Sequence, residues 1–110
     1  MIEVTIYYDL LPGIDIEEYK KWAKYVIETN LKARGIIEFK AFRNAGGSPQ
    51  VCSTTVWKTL GDWGKYAESK EFQEIDAVLR DKYATNVNMT IWRPSPIVPR
   101  AKRPKRKKGK

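Results

Sequence analysis

Alternating apolar and polar residues open the chain. From Ile2 to Tyr8 an apolar side chain falls on every second position, within a stretch rich in β-branched and aromatic residues. A period of two over such residues predicts a β-strand with two different faces. Pro12 and Gly13 are turn-forming residues, so the first strand is expected to end before them.

The pattern then changes to the period of a helix. Between Ile16 and Ile27 apolar residues recur three and four positions apart, which places them on one helical face. Asp15 suits the N-cap position, and Glu18 three residues later completes a capping box. Gly35 suits the left-handed position at a helix C-terminus. These features predict a first helix that packs on the sheet.

Three more strands and a second long helix follow. Alternation predicts strands over residues 36–43, 50–58 and 85–93, with a loop over 44–49. Thr59 and Asp62 predict the cap of a short helical turn, and Ser69 predicts the start of the second helix. In the third strand both sets of alternating residues are mixed, so the pattern leaves open which set faces inward.

The element order β-α-β-β-α-β predicts an α+β fold of the ferredoxin-like type. In this arrangement a four-stranded antiparallel sheet carries two helices on one face. We expect residues 1–97 to form this domain and residues 98–110 to form a disordered basic tail. The side chains expected beneath the helices are Ile2, Val4, Ile6, Ile37, Phe39, Val87, Met89 and Ile91.

The surplus positive charge lies entirely at the C-terminal end. The chain has 21 basic and 13 acidic residues, and its last eleven residues hold eight of the basic ones and no acidic one. Residues 1–99 are therefore neutral, and the high isoelectric point is no evidence for a nucleic-acid-binding fold. The tail itself fits either non-specific, salt-dependent binding of nucleic acid or simple extension into solvent. Its basic residues are Arg100, Lys102, Arg103, Lys105, Arg106, Lys107, Lys108 and Lys110.

Composition excludes several classes of function. The 110 residues contain no histidine, which rules out Ser-His-Asp and Cys-His catalysis, H-E-x-x-H zinc sites and a His-ligated haem. The single cysteine, Cys52, forms no internal disulfide, and no glycine-rich phosphate-binding motif is present. We therefore expect neither a metal nor a cofactor. No signal peptide or apolar run of membrane-spanning length is found, so we expect a soluble, cytoplasmic protein without a membrane span.

The sheet face away from the helices is predicted to carry large aromatic side chains, namely Tyr7, Phe42 and Trp92. Such a face suits either of two partners. Its rings could stack on RNA bases, or two copies could pack sheet against sheet around a cavity. The charged residues expected on this face are Glu3, Asp9 and Glu38 against Lys40. Because the acidic excess would repel phosphate, the pairing of two copies is favoured.

Several segments resemble the dimeric α+β barrel superfamily, in particular its antibiotic-biosynthesis-monooxygenase-like branch. The similar segments are Trp57 with residues 62–69 and 71–72 after it, and the closing strand over residues 86–92. The resemblance implies a homodimer with a small-molecule pocket between sheet and helices. Members include cofactor-independent monooxygenases of electron-rich phenolic substrates and haem-degrading enzymes. The latter carry a histidine where this chain reads Lys65-Tyr66-Ala67, so haem turnover is not expected.

Three residues are candidates for catalysis. Tyr7 offers a phenol that could hydrogen-bond a substrate oxygen or take its proton. Asn88 could hold a developing oxyanion, and Glu38 could act as a general base if a dry pocket raises its pKa. Each also has a purely structural interpretation. Tyr7 would pack at the dimer interface, Asn88 would be an exposed amide, and Glu38 would pair with Lys40 or Arg43.

Four further residues are candidates for substrate binding: Phe42, Arg43, Trp57 and Trp92. The tryptophans would wall an aromatic ligand, although tryptophan is equally an interface anchor. Arg43 would meet an anionic substrate or remain at the surface. An enzyme predicts an enclosed cavity lined by Tyr7, Asn88 and Trp92. The alternative is a non-enzymatic homodimer that fills this interface and presents two basic tails to nucleic acid.

Overall fold

The sequence folds into one antiparallel sheet with helices packed on one side, in a computed structural model that describes residues 1–105. The strands lie in the order β2-β3-β1-β4, which confirms the ferredoxin-like α+β fold. The elements are β1 (Ile2–Leu10), α1 (Ile16–Leu31), β2 (Ile36–Arg43), β3 (Val51–Trp57), α2 (Leu60–Ala67), α3 (Lys70–Val78), a π-helical turn (Leu79–Tyr83) and β4 (Ala84–Trp92).

The start of α1 is capped as the sequence indicates, but by only half of a capping box. The Asp15 carboxylate accepts hydrogen bonds from the backbone N–H groups of Glu17 and Glu18, at 3.0 and 3.1 Å. The Glu18 carboxylate instead accepts from Lys82 Nζ at 3.1 Å and from the Tyr83 hydroxyl at 3.2 Å. Glu18 therefore ties the first turn of α1 to the π-helical turn.

Between β3 and β4 the chain is more helical than the sequence pattern indicates. Thr59 caps α2 by accepting from the Asp62 N–H at 3.0 Å, and Ser69 caps α3 by accepting from the Phe72 N–H at 3.2 Å. The expected short turn after Thr59 is a helix of eight residues. Trp63 of this helix is buried against Trp57, with ring centroids 5.7 Å apart.

The strand register assigns the residues of the strands to two faces of the sheet. The face that packs against the helices is called the helix face, and the opposite face is called the open face. The helix face consists of Ile2, Val4, Ile6 and Tyr8 of β1, Phe39, Ala41 and Arg43 of β2, Val51, Ser53, Thr55 and Trp57 of β3, and Met89 and Ile91 of β4. The open face consists of Glu3, Thr5 and Tyr7, Glu38, Lys40 and Phe42, Cys52, Thr54 and Val56, and Asn88, Thr90 and Trp92. The register thus settles which side of β3 faces inward.

Three residues expected in the core, all of them on the two edge strands, are exposed. A register shift between Ile36 and Glu38 leaves Ile37 exposed, so its expected place beneath the helices is wrong. Met89 and Ile91 lie on the helix face, yet both are exposed because the helices leave the β4 edge uncovered. The other bulge lies in β4 and places Asn86 at a φ of 54°.

The core forms two groups of buried side chains beneath the helices. One group joins Tyr8 and Val51 to helical residues, and the other joins Val4 and Trp57 to Trp63. Gly35, with a φ of 88°, lies beyond the end of α1 and not at its C-cap, which is Lys32. A Cβ at Gly35 would overlap the Asp62 side chain, so glycine is required in the turn before β2.

Beyond β4 the described chain, residues 93–105, is exposed and forms neither helix nor strand. The domain boundary at residue 97 and the disorder of the tail remain predictions. Within residues 1–105, no helix is both long enough and apolar enough to cross a membrane. The cytoplasmic location expected from the sequence also stays a prediction.

Candidate functional site

A cavity of about 570 Å³ lies between the helix face and the helices above it. The sheet contributes Val4, Ile6 and Ala41 to its walls, while Ala23 of α1 and Ile75 of α3 contribute from the other side. Most of the lining is apolar, and several of the side chains are small. The cavity therefore offers an apolar space of the size that small organic molecules occupy in proteins.

Two tyrosines form the most prominent polar feature of this wall. The hydroxyls of Tyr8 and Tyr19 lie 2.7 Å apart and share a hydrogen bond, and both side chains are buried. Burial raises the pKa of Tyr8 far above its ordinary value, and the hydrogen bond to Tyr19 adds to the rise, whereas the nearby Arg43 opposes it. Tyr8 is therefore a protonated phenol at neutral pH. It can donate a hydrogen bond to a ligand oxygen but is a poor base.

Further polar groups line the same cavity. Asn30, near the end of α1, is buried, and Ser53 of β3 is half-buried. The Thr55 hydroxyl already accepts a hydrogen bond from Trp57 Nε1 at 2.7 Å. Asn30 and Ser53 thus give the wall an amide and a hydroxyl that can bind polar atoms of a ligand.

The predicted catalytic residues lie on the open face, on the other side of the sheet from this cavity. Tyr7 and Asn88 are directly opposite one another in the β1–β4 register, and Asn88 Nδ2 donates to the Asn86 carbonyl at 3.1 Å. Glu38 is at the far end of β2, where Lys40 Nζ lies 3.6 Å from its carboxylate. The structure therefore brings Tyr7 and Asn88 together but leaves Glu38 apart, in the ion pair that the structural interpretation expected.

The predicted substrate-binding residues divide between several places. Phe42 and Arg43, at the end of β2, border the cavity, although the Phe42 side chain is 58% exposed on the open face. Trp57 is completely buried and packs against Trp63 and Tyr66, which gives it a packing role. Trp92 is 56% exposed at the β4 edge.

The basic tail is only partly described. Arg100, Lys102, Arg103 and Lys105 are exposed. The other four basic residues of the predicted nucleic-acid tail, Arg106, Lys107, Lys108 and Lys110, lie outside the described residues.

Sequence reasoning missed the paired tyrosines of the cavity. Tyr8 and Tyr19 both occur at positions that the periodicity assigns to apolar faces, one on β1 and one on α1. A buried tyrosine needs a hydrogen-bond partner for its hydroxyl. Two tyrosines on the inward faces of consecutive elements were therefore the available signal for a shared polar site.

The comparisons with known proteins identify the fold. No protein-family model matches the sequence, and no curated protein matches it. Among solved structures, a conserved protein from Methanosarcina mazei Go1 is 24% identical, with a TM-score of 0.69, over 84% of this chain and 90% of the other. An antibiotic biosynthesis monooxygenase is 9% identical, with a TM-score of 0.73, over 87% of this chain and 100% of the other.

A cofactor-independent oxygenase, SnoaB from Streptomyces nogalater, is also similar. It is 10% identical, with a TM-score of 0.70, over 83% of this chain and 89% of the other. At these identities the similarity establishes the fold. The resemblance in fold to the antibiotic-biosynthesis-monooxygenase-like α+β barrel proteins is thereby confirmed.

Proposed function

We propose that this protein, built on the fold of the antibiotic-biosynthesis-monooxygenase-like proteins, binds a small organic molecule between its helices and sheet and oxidises it. The observation that carries the proposal is the cavity of about 570 Å³ with its buried Tyr8–Tyr19 hydroxyl pair. An apolar cavity with a few convergent polar groups is the usual form of a small-molecule site. The fold shared with a cofactor-independent oxygenase supports the class of reaction.

The cavity suits a phenolic or other electron-rich aromatic substrate. Aromatic rings of Trp22 and Phe72 contribute to its walls, and the Tyr8–Tyr19 pair offers a hydroxyl to a substrate oxygen. The substrate proton would pass to solvent water, and Arg43 at the border would stabilise the anion that remains. Such an ionised substrate would itself supply electrons to oxygen, so we propose a reaction without a cofactor.

We also propose that the protein is a homodimer joined through its open face. Phe42 and Trp92 expose large rings there, and a sheet face of this kind is costly to leave in water. Tyr7, Glu38 and Asn88 remain a prediction as catalytic residues. Their role requires that the second copy encloses them in a pocket of its own, whereas the helix-side cavity exists within one copy.

A cavity-filling variant tests the proposed ligand site. Ala23→Phe places a ring inside the cavity, and Ala77→Phe adds the same ring to an exposed position of α3 as a matched control. We expect 1-naphthol and anthrones to raise the melting temperature of the wild type and Ala77→Phe, with oxygen uptake for at least one of them. Ala23→Phe should lose both effects.

The absence of both stabilisation and oxygen uptake across the phenolic panel would contradict the proposed enzyme. Stabilisation that survives Ala23→Phe would place the ligand somewhere other than this cavity. Binding without oxygen uptake would leave a small-molecule-binding protein and remove the oxygenase.

The exposed basic tail supports a second proposal, in which it binds nucleic acid without sequence preference. All four of its described basic residues are open to solvent, and none is used by the folded body in an ion pair within residues 1–105. Deletion of residues 100–110 should abolish binding to a single-stranded oligonucleotide and with it the steep salt dependence. Binding that persists after the deletion would assign it to the body.

A further inference from the structure

Basic side chains gather around the cavity in a domain that is otherwise balanced in charge. Residues 1–99 contain 13 basic and 13 acidic residues. The charged residues that line the cavity are Lys20, Lys21, Lys24 and Arg43 against Glu17. The cavity therefore has a positive surrounding that the domain as a whole does not have.

Only part of this positive charge is neutralised by a neighbour. Lys20 Nζ lies 3.4 Å from the Glu17 carboxylate, which accounts for the one acidic residue of the lining. Among residues 1–105, Lys21, Lys24 and Arg43 form no ion pair. Three positive charges are thus available to an anion that approaches the cavity.

Arg43 connects this charge to the hydroxyl pair. In the strand register Arg43 lies opposite Val51, and Val51 lies opposite Tyr8, so the three side chains form one row across the helix face. Arg43 is close enough to lower the pKa of Tyr8 against the effect of burial. A guanidinium and a phenol donor therefore stand at the same end of the cavity.

The opposite end of the cavity is apolar. Val4 lies four residues from Tyr8 along β1, a separation of about 13 Å in a strand, and it packs with Trp63 and Phe72. Trp63 and Phe72 both line the cavity, with ring centroids 5.3 Å apart. The cavity thus has a cationic, hydrogen-bonding end and an aromatic end.

We propose that the cavity is specific for amphipathic organic anions. The apolar body of the ligand packs against Trp63 and Phe72, and its carboxylate, sulfonate or phenolate group binds Arg43 and the Tyr8–Tyr19 pair. Lys21 and Lys24 draw the anion toward the cavity. This inference rests on the ligand site of the proposed function and names the class of molecule that it takes.

A pair of fluorescent probes that differ by one charged group provides the test. The probe 1-anilinonaphthalene-8-sulfonate carries a sulfonate, and N-phenyl-1-naphthylamine is the same ring system without it. Each is titrated into wild type, Arg43→Gln and Arg34→Gln at low and high salt. Arg34 is an exposed arginine outside this cavity, so its variant loses the same charge elsewhere.

We expect Arg43→Gln to weaken binding of the sulfonate by about tenfold, as loss of a charge-assisted hydrogen bond does. Binding of the neutral probe should not change, and Arg34→Gln should resemble wild type with both probes. Lys24→Gln should weaken binding of the sulfonate probe by about threefold at low salt, as expected for loss of an exposed charge. This second variant keeps the test valid if Arg43→Gln does not fold.

Three results would overturn the inference. The first is equal weakening of both probes by Arg43→Gln, the second is no effect of either charge variant, and the third is sulfonate binding that survives Ala23→Phe. Failure of the proposed function looks different. In that case neither probe binds the wild type, whereas binding of both probes to the wild type with no dependence of the sulfonate on Arg43 or Lys24 removes only the preference for anions.

Discussion

The two faces of the sheet differ in how deeply their large side chains are buried. On the helix face Val4 is 1% exposed and Trp57 is fully buried, whereas on the open face Phe42 and Trp92 keep more than half of their surface in water. All four residues belong to strands with the same alternating pattern. What separates the two faces is the layer that covers them, which the helices supply on one side only.

The residues at the centre of the open face are nevertheless buried. Thr5 and Thr54 are only 6% exposed, and their hydroxyls lie 3.0 Å apart in a hydrogen bond. Lys40, which lies opposite Thr54 in the register, forms ion pairs with Glu3 and Glu38 beside this row. The apolar surface that remains for a partner is therefore concentrated in the aromatic residues at the edges.

The largest contrast between the faces is expected from tryptophan truncation. Trp57→Ala should lower the free energy of unfolding by about 3–5 kcal/mol, because it empties a fully buried site. Trp92→Ala, on the open face, should cost less than about 1 kcal/mol at protein concentrations low enough to populate the monomer. Urea denaturation followed by circular dichroism measures both. Equal losses would show that the open face is covered even in the monomer.

Negative charge placed on the open face should weaken the proposed dimer. The double change Phe42→Glu and Trp92→Glu is expected to weaken the dimer by about 30-fold or more, because it buries charge where aromatic anchors would pack. Light scattering with size-exclusion chromatography reports the molar mass. Tyr25→Glu, an exposed aromatic of α1, is the matched control and should leave the dimer intact. A wild type that is monomeric at all concentrations would reject the proposed interface.

The buried hydroxyl pair on the helix face should respond to alkaline pH. The pKa of Tyr8 is raised by burial, and burial also raises the pKa of Tyr66 to about 12. Above the ordinary tyrosine pKa of about 10, the unfolded chain releases protons that the folded chain retains. Stability is therefore complete below pH 10 and falls as the pH rises further.

Removal of the Tyr8 hydroxyl distinguishes the contribution of Tyr8 to this loss of stability from that of the other tyrosines. Tyr8→Phe should cost about 1 kcal/mol at neutral pH and make the alkaline loss of stability less steep. Tyr25→Phe changes an exposed tyrosine; it should leave the stability at neutral pH unchanged and alter the alkaline slope less than Tyr8→Phe does. Denaturant unfolding at several pH values measures both the stability at neutral pH and its alkaline slope. An unchanged alkaline slope in Tyr8→Phe would contradict the burial of this phenol.

The smallest effect is expected at Asp9, where β1 meets the loop after β2. Hydrogen bonds from the Ser48 hydroxyl, Asn86 Nδ2 and the Gln50 N–H lower the pKa of Asp9. Its contribution to stability is present above the ordinary value of 3.8 and is lost as the pH falls through the lowered pKa. Asp9→Asn should flatten the acid side of a melting-temperature profile slightly. A profile identical to wild type would show that these bonds do not favour the charged form.

Periodicity and capping residues were sufficient to predict the order of the strands and the starts of the helices, but not where the helices end. Asp15, Thr59 and Ser69 each cap a helix where local sequence placed them. The bulges at Ile37 and Asn86 were not predictable, because alternation assumes an unbroken register.

The candidate site was harder to derive than the fold. Sequence reasoning concentrated on the open face because its aromatic residues had no evident partner. The cavity depends on how far the helices stand from the sheet, which the pattern does not specify. Besides the inward-facing Tyr8 and Tyr19, its trace in the sequence is the set of small residues that line it, among them Ala23, Ala41 and Ser53.

We propose that the ligand binds beneath the helices, within a single copy, while the open face joins two copies. Amide chemical shifts recorded by NMR during a titration with 1-naphthol test it most directly. The largest changes should fall at Ala23, Asn30 and Ser53 around the cavity. Changes confined to Tyr7, Asn88 and Trp92 would place the ligand on the open face and contradict it.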